Sequence, residues 1–237
     1  MAWTRPFHSI KHELNALQSW HVDLSFNLDG FSHGWLEQAV RGIKHAHGLQ
    51  PAASKLPITL PLLRAILEQL QTMPLGAWDR QVIAAAFAVS FACFLRCSEV
   101  TWNQPSPAQL LVGSVMWQAD YAIFLLPASK TDPFRLGTPL VVPKVGGVEC
   151  PYAMLHLLCP TVHRPDAPLL GLHDGYRPLT QSTFLQHLCL TLSRLGLDMS
   201  QYAGHSFCRG AATWVVSQGI NADTIKLLGR WDSDCYH

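Results

Sequence analysis

A chain of 237 residues with 49% apolar content is long enough for one large domain, or one domain plus a fragment, and holds ample material for a core. Its net charge of +1 lacks the basic excess usual in a dedicated nucleic-acid binder, and its longest apolar run, Ile83 to Leu95, is too short to span a bilayer. Seven cysteines, odd in number and set mostly inside apolar helical patterns, argue against a disulfide framework and for a reducing compartment, nuclear or cytoplasmic. Met1 to Ile10 lacks the apolar stretch of a signal peptide, so a soluble protein is expected.

In chain order, residues 1–48 read as short helices, with apolar spacing over Ser9 to Trp20 and Gly34 to Lys44 and too little apolar surface for a core of their own. Six histidines fall here, but no third ligand stands at a typical metal spacing. Leu49 to Lys55 reads as a linker. From Thr59, a capping residue with Pro61 in the first turn, Leu62, Leu63, Ile66, Leu67 and Leu70 predict an amphipathic helix closed by Pro74. The next helix, from about Asp79, turns apolar on all sides and is expected to cross the centre of the domain and end in FLRCSEV. That places Arg96 at the end of the most buried helix, where an unpaired charge is costly; Glu99, three residues on, is its candidate local partner.

Residues 108–145 change period. Leu110 to Trp117, Tyr121 to Leu126 and Pro139 to Val142 predict three short antiparallel strands, and the connection SKTDPFRLG puts Lys130, Asp132 and Arg135 on a hairpin, either a functional loop or a solvated charged turn. Helices return at Pro151 to Leu158 and at Thr180 to Leu195, the latter capped by Thr180 and stopped by Gly196. Cys150, His156, Cys159 and His163 are close in sequence but do not match the spacing of a zinc finger. In YAGHSFCRGAATWVVSQG, Ser206 is the expected N-cap and Gly219 the residue past the C-terminus, so His205 and Arg209 stand one turn apart at a helix start. Free backbone N–H groups and the helix dipole favour an anion there. Asn221 caps a last short helix that turns at Gly229 before Trp231.

The order FLRCSEV, SKTDPF in a hairpin, GHSFCRGAAT and LLGRW resembles the catalytic domain of tyrosine recombinases, the phage-integrase family, and within it the transposon-borne recombinases of Crypton and DIRS type. The resemblance covers roughly residues 56–237 and implies a mainly α fold with a small three-stranded antiparallel sheet (α+β). It makes residues 1–55 the remnant of a helical DNA-clamping domain plus linker, and residues 56–237 a catalytic domain lacking its C-terminal end. Carried over residue by residue, Arg96, Lys130, His205, Arg209 and Trp231 surround the scissile phosphate.

What the resemblance implies chemically suits those residue types. Two guanidiniums, Arg96 and Arg209, hold non-bridging oxygens bidentately; Lys130 protonates the leaving 5′ oxygen; His205 donates a hydrogen bond or shuttles a proton; Trp231 supplies an indole N–H and packing. No metal or other cofactor is required. The implied partner is double-stranded DNA, bound by a homotetramer in an active assembly, with no membrane and no small-molecule substrate; the expected location is nuclear, or cytoplasmic in a prokaryote.

The family's nucleophile is a tyrosine about eight or nine residues past the His or Trp position, whereas this sequence runs six residues beyond Trp231 and has Tyr236 only five on, about a turn too early. Two expectations therefore stand: a strand-transfer enzyme completed by residues outside this sequence or by a neighbouring subunit, and a DNA-binding relic whose arginines hold phosphate without cutting it.

Overall fold

The structure, a computed structural model, describes residues 7–47, 54–104, 109–127, 134, 136–159, 164–175 and 177–231. The chain divides into two compact units, Met1–Ser54 and Lys55–His237. In the first, helices α1 (Phe7–Asp23) and α2 (Gly34–His47) are joined through a 3-10 turn at Asp29–Phe31. That turn is held by Asn27, whose Oδ1 accepts from the Asp29 N–H at 2.6 Å, and by His21, set edge-on to Phe26 and Phe31 at 5.5 and 5.1 Å between ring centroids.

The second unit is built around one helix. First comes α3 (Leu60–Gln71), begun by Thr59, whose side chain accepts from the Leu62 N–H, and burying Leu63, Ile66, Leu67 and Leu70 along one stripe. It packs on α4 (Ala77–Ala92), buried continuously from Val82 to Phe91 as its all-round apolar sequence requires. Contrary to the sequence expectation, α4 does not run on into FLRCSEV. It stops at Ala92, where Phe94 adopts a left-handed φ of 55° and the Leu95 N–H closes back on the Ser90 carbonyl at 2.9 Å. A new short helix, α5 (Cys97–Val100), then starts with Arg96 extended at its N-cap.

Strands β1 (Val115–Trp117), β2 (Tyr121–Leu126) and β3 (Thr138–Pro143) form an antiparallel sheet in that order, with Val115 opposite Phe124 and Phe124 opposite Leu140. Alternation puts Ala122, Phe124, Leu126, Leu140 and Val142 inward, with Tyr121, Leu125 and Val141 exposed. The first strand is shorter than its sequence pattern. Leu110 to Val112 pair instead with the 167–169 segment, and Gly113 turns against Pro165 too closely to admit a β-carbon.

Next come α6 (Pro151–Leu158) and α7 (Leu172–Gly175), both packed on α4; α8 (Gln181–Arg194), capped by Thr180 and followed by Gly196 at a φ of +73°; α9 (Ser206–Ser217); and α10 (Ala222–Gly229), capped by Asn221. Phe87, Phe184 and Phe207 meet at 4.9, 5.1 and 5.5 Å between centroids and so lock α4, α8 and α9 into one core. The fold is thus mainly α with a small three-stranded antiparallel sheet, as the sequence predicts.

Candidate functional site

The start of α9 is held by backbone contacts rather than by the predicted cap. His205, not Ser206, occupies the N-cap position; Ser206 is buried one residue inside, and its Oγ accepts from the Ala203 N–H at 2.9 Å. The chain from Lys55 to Ile58 runs alongside, with the Leu56 N–H donating to Gln201 at 2.7 Å and the Ile58 N–H to Ser206 at 2.9 Å. Two glycines make this closeness possible. A β-carbon on Gly210 would overlap the Ile58 carbonyl, and one on Gly204 would lie 2.5 Å from the Cys97 β-carbon. His205 is exposed and Arg209 half-buried one turn on, where the Arg209 N–H donates to the His205 carbonyl at 3.1 Å and its Nη1 to the Lys55 carbonyl at 2.6 Å.

Arg96 reaches the same place from the other side. Its neighbour Cys97 is the residue packed on Gly204, and its positive charge pulls back down a Cys208 thiol that burial pushes up. The local ion pair expected from the sequence is formed: Glu99 Oε1 accepts from Arg96 Nη1 at 3.1 Å, and Oε2 accepts from the Arg96 N–H at 2.8 Å. The same carboxylate also receives Arg230 Nη2 at 3.0 Å. The side chains of Arg96, Glu99 and Arg230 are 15%, 6% and 8% exposed, so one nearly buried carboxylate is shared by two guanidiniums.

Trp231 is set by the end of α10. Gly229 is the last helical residue, and the turn expected at it falls instead on Arg230, in the left-handed region at φ 55° and ψ 47°, a conformation that costs a side-chain-bearing residue about 1 kcal/mol. The Trp231 N–H closes on the Lys226 carbonyl at 3.0 Å, and its ring folds back so tightly that a β-carbon on Gly229 would lie 2.5 Å from it. The ring meets Phe94 edge-on at 6.2 Å.

Of the five residues singled out from the sequence, Arg96, His205, Arg209 and Trp231 lie on these interlocked helix ends, while Lys130 lies outside the described residues, as do Asp132, Arg135, His163 and Tyr236. Cys150 serves as the N-cap of α6, and His156 packs between Trp117 and Tyr152 at 5.1 and 5.8 Å. Among the described residues no three His, Cys, Asp or Glu side chains come together to hold a metal ion. Arg230 and the Lys55 carbonyl are the additions the structure makes. Arg230 has no sequence signal of its own, because the glycine beside it reads as the helix terminator and hides the residue that actually turns the chain.

No family model and no curated protein matches the sequence. Solved structures do match. The XerH site-specific recombinase bound to palindromic difH substrate superposes with a TM-score of 0.56 at 15% identity, covering 77% of this chain and 48% of that one. The Tn1549 transposon integrase, in complex with circular intermediate DNA, gives 0.58 at 11%, covering 98% and 74%, and the XerA recombinase 0.53 at 13%, covering 94% and 74%. At these identities the likeness is one of fold, that of the tyrosine recombinase catalytic domain. The chain spans about half the length of the XerH chain.

Proposed function

We propose that residues 56–237 form the core of an enzyme that breaks and rejoins double-stranded DNA, a tyrosine recombinase of mobile-element origin resembling the Crypton and DIRS type and working in the nucleus. The observation that carries this reading is the convergence of Arg96, from the broken end of α4, on the first turn of α9, which bears His205 and Arg209, in a fold shared with recombinases whose solved complexes contain DNA. Arg96 and Arg209 grip the non-bridging oxygens of one phosphate. His205 hydrogen-bonds to it, and Trp231 packs beside the grip. A tyrosine oxygen attacks phosphorus, its proton passing to His205, as the bond to the 5′ oxygen breaks, and Lys130 gives that oxygen its proton, leaving a 3′-phosphotyrosyl bond whose reversal reseals the strand. Residues 1–55 serve as a DNA-clamping remnant, and the active assembly is a homotetramer on DNA.

A pool of nicked duplexes tests the reading. A chain extended to carry a tyrosine about nine residues past Trp231 yields a protein–DNA adduct that survives boiling in detergent and that Arg209→Ala abolishes, while DNA affinity falls only several-fold. Salt-dependent binding without an adduct favours the alternative, a DNA-holding protein whose arginines grip phosphate without cutting. An adduct that Arg209→Ala still forms overturns the site assignment.

A further inference from the structure

We propose that Arg230 is a positioning residue for Arg96, acting through the carboxylate they share; this rests on the reading of Arg96 as a phosphate-gripping group. The Arg230 side chain turns inward: it is 8% exposed, its Nη1 donates to the Cys93 carbonyl at 3.3 Å, and its Nη2 reaches the Phe94 carbonyl at 3.5 Å and Glu99 Oε2 at 3.0 Å. The two carbonyls lie just past the C-terminal end of α4, the negative end of its dipole, where a guanidinium is favoured. The arginine is held there by a backbone in the left-handed region, the kind of strain that persists where surrounding structure over-determines it.

The sharing has a consequence for where the Arg96 side chain sits. Oε2 is held between the Arg96 N–H at 2.8 Å and Arg230 Nη2 at 3.0 Å, so Oε1 is fixed where it anchors one edge of the Arg96 guanidinium at 3.1 Å and orients the rest. The same arginine immediately precedes Trp231, so the end of α10 and the Arg96 anchor move as one piece.

The test is the affinity of the full chain for a duplex of about 30 base pairs across about 50 to 200 mM salt, at a temperature where circular dichroism shows each variant folded. Arg96→Ala supplies the yardstick: a several-fold loss and a log–log salt slope shallower by about one, the signature of one phosphate contact. Arg230→Met is expected to reproduce both changes although Arg230 touches no DNA, and the double variant to bind no worse than Arg96→Ala alone. Binding by Arg230→Met equal to wild type, or losses that multiply in the double variant, overturns the proposal and leaves Arg230 a fold-stabilising residue. Should Arg230→Met fail to fold, Arg230→Lys, which keeps the charge but not the forked reach, carries the same comparison with the same outcomes deciding it. If Arg96→Ala itself binds like wild type, the phosphate reading of Arg96 has failed first, and the positioning role falls with it.

Discussion

Gly210 and Ile58 meet backbone to backbone: the α-carbon of the helix residue lies so close to the carbonyl of the extended one that no β-carbon fits between them. Around this contact the Lys55–Ile58 segment hydrogen-bonds to Gln201, to Ser206 and to the guanidinium of Arg209, so one glycine sets how near Arg209 comes to its carbonyl partner.

Gly210→Ala therefore forces apart two backbones, neither of which is a flexible side chain that can swing aside. The expected loss is about 2 to 3 kcal/mol of unfolding free energy, read from the urea midpoint. A midpoint unchanged within error would mean that the segment moves away freely.

Glu99 is a carboxylate shared by two nearly buried guanidiniums. Replacing it leaves both cations without their shared counter-charge, and Glu99→Gln is expected to lower stability by about 3 kcal/mol in urea titration. A neutral outcome would show that solvent reaches the cluster and screens it.

Acid should act through Glu149. Arg64 donates two hydrogen bonds to its Oε1, from Nε at 3.0 Å and Nη2 at 2.5 Å, and these hold the carboxyl below its ordinary range. Because the folded pKa lies below the unfolded one, the contribution is fully present above the unfolded value and is lost as pH falls below the ordinary carboxylate range and through the folded value. Glu149→Gln is expected to flatten that part of the stability–pH curve; a curve of unchanged steepness would assign the acid sensitivity elsewhere.

Burial pushes the thiols of Cys93 and Cys97 up to about 12 and about 11, so neither forms thiolate at neutral pH while the chain is folded. Iodoacetamide at pH 7.5, followed by peptide mass mapping, should leave both unmodified until denaturant is added. Early labelling of Cys97 would show that the α5 turn beside Arg96 opens in solution.

Much of this was legible in the chain itself. Thr59, Thr180 and Asn221 cap their helices as their chemistry directs, the Leu63 to Leu70 stripe is buried at its helical spacing, and the alternation through Ala122, Phe124 and Leu126 is that of a half-covered strand. Each depends on residues two to four apart, the range over which periodicity and capping act. The break of α4 at Ala92, the shortened first strand and the place of Arg230 were not legible, because each is settled by a contact between segments far apart in sequence. Arg230 and Glu99 are separated by 131 positions, and Arg209 and the Lys55 carbonyl by 154. Local patterns determined most of the helices and strands; only close packing of distant backbone decided which charges share a partner, because a nearly buried charge takes its partner from whatever the fold brings beside it.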